Sequence, residues 1–234
     1  MLCLPNIRFG EVDFSGDKSY IWGSGQYSAP RRSVEVISVP GRNGDLIIDN
    51  GRYENITATY TVAVMGDVPK NTNRLKYLLY SQKGYQRLYD SDRKGFYRKA
   101  VFHDGFDITG IDHGKCRVVF DCKPLLYDIN GDVAVNITDA GSITNPYYES
   151  SRPLIAINGT GAGTVSIGSQ TISISSIGDG IIIDCEAQEV YNSSMMNKNS
   201  VVNTADVVLL PGVNSVAFSG GVTSITITPR WVTL

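Results

Sequence analysis

The first half of the chain is dominated by short segments in which apolar and polar residues alternate. Such alternation, in stretches rich in Val, Ile, Thr and Tyr, is typical of β-strands. The segments with this pattern include Arg32–Val39, Asp45–Asn50 and Asn55–Met65. Between the first two lies Pro40–Gly44, in which Asn43-Gly44 supplies the positive-φ residues that a tight turn requires. The pattern therefore predicts a β-hairpin.

One segment of the first half has helical rather than alternating periodicity. Leucines recur at helical spacing within Leu75–Leu79, Asn71 or Thr72 is placed to cap the beginning, and Gly84 is placed to end the helix. An apolar stripe of this kind packs against a sheet. We therefore predict one amphipathic α-helix near residues 71–83.

The second half contains short candidate strands separated by turns rich in Gly, Ser and Asn. Helical periodicity occurs, if anywhere, only near Glu186–Met196. Regularly spaced short strands are typical of an antiparallel sandwich. The candidate strands are Val133–Ile137, Pro153–Asn158, Thr164–Gly168, Thr171–Ser175, Gly180–Cys185, Val207–Leu210, Asn214–Ser219 and Thr223–Trp231. We expect a mainly β chain of two domains: residues 1–128, β-sandwich-like with one α-helix, and residues 129–234, an antiparallel β-sandwich.

Charge divides the chain at the same place. Residues 1–128 carry 18 Lys and Arg against 15 Asp and Glu, a net charge of +3, whereas residues 129–234 carry 3 against 8, a net charge of −5. The total of −2 argues against sequence-specific nucleic-acid binding, which depends on neutralising phosphates. No apolar stretch reaches the roughly 20 residues of a membrane span, and the beginning of the chain lacks the pattern of an export signal. We therefore expect no membrane insertion and synthesis in a cytoplasm.

The four cysteines are predicted to be reduced core residues. Cys3, Cys116, Cys122 and Cys185 form no CxxC pair, and no export signal directs them to an oxidising compartment. Cys116 and Cys122 lie on the same face of an alternating segment that also contains Val118. Neither a disulfide framework nor a zinc site is expected.

No motif has the spacing of a nucleotide, metal or catalytic site. The glycine-rich segment 158–163 leads into an alternating segment rather than into a phosphate-binding helix, so it predicts a flexible hairpin turn. His103 lies beside Asp104 and near Asp107, which leaves a weak cation site as the alternative to a solvated loop. His113 has no zinc-protease spacing, and no nucleophile elbow is present. We therefore expect no enzyme activity, no cofactor and no metal.

Two alternatives to a structural role remain open. Tyr147, Tyr148 and Tyr191 lie in the second half, where exposed aromatic rings are able to stack on saccharides. Trp231, in the last alternating segment, is instead expected to belong to the core. Carboxylates for a glycosidase are also present, although solvated turns account for them. These acids are Asp90, Asp92, Asp179, Asp184 and Glu186.

Several segments together resemble the distal tail proteins of long-tailed phages (siphophages) that infect Gram-positive bacteria, or prophage copies of them. The order and spacing of the segments carry the resemblance, which extends over nearly the whole chain. The segments are Ser38–Val62, Gly84–Phe102, Cys116–Asp128, Ile143–Gly161, Ile181–Tyr191 and Leu209–Trp231.

The resemblance implies a structural component of the phage tail tip or baseplate. It implies a ring-forming domain in residues 1–128, which assembles as a hexamer around a channel for DNA, and a galectin-like domain in residues 129–234 outside that ring. The implied partners are the tail tube protein, the tail-associated protein and the receptor-binding or baseplate proteins. The chain is too short for the long arm or carbohydrate-binding insertions of some family members. A hub is therefore favoured over host attachment through sugar, and an adhesin that recognises cell-wall saccharide is the alternative.

A closed ring requires a heterologous interface, and such an interface is able to cover exposed strand edges. The predicted hairpin combines apolar strands with a basic tip. We therefore hypothesise that it lies at the ring interface or lumen. The tip residues are Pro40, Gly41, Arg42, Asn43 and Gly44.

Overall fold

The structure of the chain is a computed structural model that describes residues 6–14, 19–106, 108 and 114–234. The chain forms two compact units, residues 1–126 and residues 127–233. Strands dominate both units, and the described residues contain one α-helix. The predicted fold class, mainly β with a helix in the first half and antiparallel sheets, is confirmed.

The first unit is built on one antiparallel sheet. Its strand order is β2-β1-β8-β9-β10-β7-β3, and β4 pairs with the same edge of β7 as β3. β5 and β6 form a separate two-stranded sheet. The strands are β1 Ile7–Phe9, β2 Val12–Asp13, β3 Ser19–Ile21, β4 Gln26–Tyr27, β5 Arg32–Ile37, β6 Leu46–Tyr53, β7 Ile56–Val64, β8 Gln86–Asp90, β9 Phe96–Val101 and β10 Gly114–Cys122.

The core of the first unit follows from the alternation in β7 and β10. Every second residue of β10 is buried, and Phe120 packs against Phe9 with ring centroids 4.7 Å apart. Cys116 and Cys122 are free, buried and on this face, so the prediction that they are reduced core residues is confirmed. Burial raises the pKa of the Cys116 thiol to about 11, which keeps it protonated at neutral pH. Cys3 lies outside the described residues.

The predicted helix is present but begins earlier than expected. Helix α1 spans Val68–Ser81. Its cap is the side chain of Asp67, which accepts a hydrogen bond from the amide of Lys70 at 3.1 Å, so the predicted caps Asn71 and Thr72 are wrong. Proline is favoured in the first turn, where its missing N–H costs nothing, so Pro69 marks the beginning of the helix. None of the described helices is long and apolar enough to cross a membrane.

The second unit is a curled antiparallel sheet around its own core. The order is β12-β18-β14-β16-β17, with β13 beside β18, β15 beside β14, and β11 paired with β19. Both ends of β14 contribute to one buried cluster, Ile155 and Ile157 from one end and Val165 and Ile167 from the other, so the long strand curls around the core. The strands are β11 Leu126–Asp128, β12 Val135–Ile137, β13 Gly141–Asn145, β14 Leu154–Ile167, β15 Gln170–Ile174, β16 Ile181–Asp184, β17 Glu189–Tyr191, β18 Gly212–Thr228 and β19 Val232–Thr233.

The glycine-rich segment 158–163 is not a hairpin turn, and that prediction is wrong. The segment is continuous with β14 and crosses β18, with register shifts next to Gly159. A Cβ on Gly221 of β18 would lie 1.6 Å from the carbonyl oxygen of Thr160, so the crossing requires glycine. Glycine here marks a close approach of two backbones, and the segments predicted as separate strands on either side merge.

Three further details of the second unit differ from the sequence predictions. Glu186–Met196 contains turns and β17 instead of a helix, because Asn192 accepts hydrogen bonds from the amides of Ser194 and Met196 and so competes with helical bonding. Val207–Leu210 forms only an isolated bridge, at Leu209. Trp231 lies beyond the end of β18, and its predicted place in the core is confirmed by its burial.

Candidate functional site

The predicted hairpin is confirmed, but its loop is longer than a tight turn. β5 and β6 pair antiparallel up to Ile37 opposite Leu46, which leaves residues 38–45 as the loop. Gly41 and Gly44 have φ angles of 79° and 83°, a region that glycine enters without strain. Asn43 does not have a positive φ, so the predicted conformation of that residue is wrong.

Both faces of the hairpin are apolar and exposed. Residues directly opposite one another on paired strands share a face. Val36 lies opposite Ile47 on one face, and Ile37 lies opposite Leu46 on the other. The exposed fractions of Val36 and Ile47 are 57% and 64%. The exposed large apolar residues of the hairpin and its loop are Val34, Val36, Val39, Leu46, Ile47 and Ile48.

The base of the hairpin is held by polar contacts. The guanidinium of Arg32 donates to the carboxylate of Asp49 at 3.0 Å, and the amide of Glu54 donates to the carbonyl of Arg31 at 2.8 Å. The amide of Gly51 and then Arg32 hold the pKa of Asp49 below its usual value. The hairpin therefore leaves the first unit from an ordered base, while its apolar strands stay uncovered.

An isolated two-stranded sheet is marginally stable in water, and its outer edges offer unpaired N–H and C=O groups. Neither β5 nor β6 pairs with a third strand in the part of the chain that the structure describes. Large contiguous apolar patches on soluble proteins mark interaction surfaces. The arrangement has the chemistry of an interface that lacks its partner.

The acidic candidates for catalysis are held in structural contacts. Asp184 accepts two hydrogen bonds from Arg230, at 2.7 and 3.0 Å. Burial raises the pKa of Asp184, but the bonds from Arg230 and from two backbone amides outweigh it and lower the pKa overall. Asp90 has a raised pKa because it is partly buried, and it accepts a hydrogen bond from the hydroxyl of Tyr60 at 2.8 Å. Asp184 therefore has an arginine partner that favours its ionised form, and Asp90 is tied to the core.

His103 is exposed and lies 3.3 Å from a carboxylate oxygen of Asp104. Asp107 and His113 lie outside the described residues. Among the residues that are described, no group of three or more His, Cys, Asp and Glu side chains could hold a metal ion.

The structure separates the three candidate tyrosines by environment. The hydroxyl of Tyr147 donates to Asp128 at 2.8 Å, and the ring packs against the core of the second unit. Burial and then this bond raise the pKa of Tyr147 to about 12. Tyr191 is half-buried in β17, and Tyr148 is 98% exposed. Tyr148 alone of the three presents a free ring face.

Comparison with known proteins gives one informative similarity. No family model and no curated protein matches the chain by sequence. The crystal structure of the SPP1 Dit (gp 19.1) protein, described as a paradigm of the hub adsorption apparatus in phages that infect Gram-positive bacteria, is similar in fold. The TM-score is 0.78 at 13% sequence identity, over 99% of this chain and 100% of that one. The resemblance drawn from the sequence is thus confirmed at the level of the fold.

Proposed function

We propose that the chain is a structural hub of a phage tail tip and that hairpin β5–β6 joins neighbouring copies into a ring. The observation that carries the proposal is the exposure of apolar residues on both faces of this hairpin, in a chain with the fold of a hub protein. The role is structural and involves no catalytic step.

The physical argument rests on where the apolar side chains gain their burial. Burying a fully exposed Val or Ile side chain contributes about 1.5–3 kcal/mol. The hairpin exposes six large apolar residues in a ribbon that is marginally stable alone. A neighbouring copy that covers the ribbon would provide this burial and would shield its free edges from aggregation.

The same proposal assigns the remaining parts of the assembly. A hairpin on one side of a protomer and its acceptor on another side form a heterologous contact, which generates a ring when the rotation closes. The proposed ring is a hexamer whose channel passes DNA without reading its sequence. It connects the tail tube protein to the tail-associated protein and to the receptor-binding or baseplate proteins, in the virion tail tip.

The test is the mass of the purified full chain by light scattering over a range of concentrations. We expect a species near six times 25.5 kDa for the natural sequence. Val36→Glu and Ile47→Glu place a charge on an interface that must be desolvated, so both variants are expected to shift the mass to that of a monomer.

The matched control is Val213→Glu in the second unit. Val213 is 74% exposed, so the variant makes the same change of charge and apolar content away from the hairpin. We expect its mass to equal that of the natural chain. A natural chain that stays monomeric at every concentration, or hairpin variants that assemble normally, would count against the proposal.

A saccharide-binding adhesin is the second candidate function, and the exposure of Tyr148 is the observation that favours it. A free tyrosine face is able to stack on a sugar ring. Binding of the full chain to a cell-wall glycan array, lost in Tyr148→Ala, would support this alternative. Binding that is unchanged by the substitution would exclude Tyr148 as the platform.

A further inference from the structure

We propose that a basic, tyrosine-lined groove of the first unit binds an acidic peptide segment of a protein partner. The groove has a volume of about 490 Å³ and lies along β1, β8 and β9. Its charged lining consists of Arg8, Arg87 and Lys99 against one acid, Glu11. The inference does not depend on the proposed ring.

Strand register places these cations together on the outer face of the sheet. Arg8 lies opposite Tyr89, and Arg87 lies opposite Lys99. Because side chains alternate along a strand, the burial of Leu88 in the core directs Arg87 and Tyr89 to the other face. Three strands therefore contribute to one surface in which basic and aromatic side chains are adjacent.

Two of the cations are held by aromatic rings before any ligand arrives. The guanidinium carbon of Arg8 is 4.3 Å from the ring centroid of Tyr89, and that of Arg87 is 4.5 Å from the ring centroid of Tyr97. Stacking uses the face of a guanidinium and leaves its N–H edge available for a carboxylate. Side chains that are ordered in advance lose less conformational entropy on binding.

The charge arrangement favours an anionic ligand. Arg87 and Lys99 are direct cross-strand neighbours, and like charges in that position are unfavourable. A bound carboxylate would offset this repulsion and would form charge-assisted hydrogen bonds with Arg87. The neighbouring rings of Tyr85 and Tyr89 provide apolar surface for the aliphatic part of an acidic side chain.

A protein segment suits the groove better than a nucleic acid does. Nucleic-acid affinity rises with the number of phosphates neutralised, and this groove offers only three cations. The chain as a whole has a net charge of −2, which opposes the approach of a polyphosphate. The groove volume lies within the range of pockets for small ligands, which corresponds to a few residues of peptide.

The test measures the binding of fluorescently labelled hexaglutamate to the full chain by anisotropy at about 50 mM salt, where surface electrostatics are weakly screened. A labelled thymidine hexanucleotide is titrated in parallel. We expect binding of the peptide and weaker binding of the oligonucleotide. We expect Arg87→Glu to weaken peptide binding at least about tenfold, because a charge-assisted contact becomes repulsive.

Two further variants separate the groove from total charge and from packing. Lys94→Glu makes the same charge change at an exposed position in the turn between β8 and β9, and we expect less than about a twofold effect because exposed charges farther away are screened. Arg87→Met keeps an aliphatic cover on Tyr97 and removes the charge, so we expect weakened binding in a folded protein. The proposal is overturned if hexaglutamate does not bind, if Lys94→Glu matches Arg87→Glu, or if the oligonucleotide binds as tightly as the peptide.

Discussion

Two consecutive strands of the first unit, β6 and β7, have similar apolar content and opposite fates. β7 is flanked by β10 on one edge and by β3 and β4 on the other, and most of its residues are buried. β6 pairs only with β5, and all of its residues except Tyr53 are exposed. The amino-acid pattern makes both segments strands. What differs is whether the chain itself supplies the surface that covers them.

The comparison assigns different roles to apolar residues of the same type. Those of β7 stabilise the fold of the single chain, because a folded monomer already buries them. Those of β6 are expected to contribute only when another chain covers them. The comparison therefore predicts which substitutions destabilise the monomer and which disturb assembly.

The largest effect is expected in the core beneath β7. Phe120 of β10 is fully buried and packs against Phe9 and Tyr60, with ring centroids 4.7 and 6.0 Å away. Phe120→Ala is expected to lower the free energy of unfolding by about 3–5 kcal/mol, since it removes a large side chain and leaves a cavity. Urea denaturation followed by circular dichroism measures this change.

The hairpin substitution Ile47→Ala sharpens the comparison. At a concentration where light scattering shows a monomer, we expect a change of less than about 0.5 kcal/mol in the free energy of unfolding. A loss comparable to that of Phe120→Ala would mean that the chain covers its own hairpin in solution. The distinction between β6 and β7 would then fail.

The sequence predicts what depends on local pattern and fails where distant backbones meet. Alternation correctly indicates the strands, the hairpin and the burial of Cys116 and Cys122, because these follow from side-chain direction along one strand. It misplaces Gly159 in a turn, because the close approach of Gly221 to Thr160 comes from the pairing of β14 and β18.

The functional surfaces show the same limit. The apolar hairpin is visible in the sequence, but its lack of cover is not, since this depends on the absence of a third strand. The basic groove went unnoticed because its three cations lie on strands far apart in the chain. Arg8, Arg87 and Lys99 become neighbours only through the register of β1, β8 and β9.

The second largest effect concerns crowded and open glycines. Gly221→Ala is expected to destabilise the second unit by about 3 kcal/mol, because its Cβ would overlap a backbone oxygen and the strands must separate. Gly41→Ala in the hairpin loop meets no atom within 4 Å, and only its positive φ opposes the change, at about 1–2 kcal/mol. Thermal denaturation of both variants checks this order. Equal losses would show that the crossing of β14 and β18 relaxes.

The smallest effects are expected for two arginine–aspartate pairs that differ in exposure. Asp184→Asn weakens the partly buried contact with Arg230 and is expected to destabilise the protein by about 1–2 kcal/mol at pH 7. Asp49→Asn, which weakens the exposed contact with Arg32 on the hairpin, is expected to cause no measurable change in the monomer. Urea denaturation of each variant beside the natural chain gives both differences.

The dependence of these differences on pH identifies their cause. The folded state lowers the pKa of Asp184 below its ordinary value of 3.8, so the stabilisation is fully present above that value. It is lost as pH falls through the lower pKa of the folded state, where the carboxylate becomes protonated. The difference between Asp184→Asn and the natural chain should therefore stay constant from pH 7 to about pH 5 and shrink only in stronger acid. A difference that is the same in acid would mean that Asp184 acts through its shape and hydrogen bonds to neutral groups, and that shielding from water does not distinguish its charge from that of Asp49.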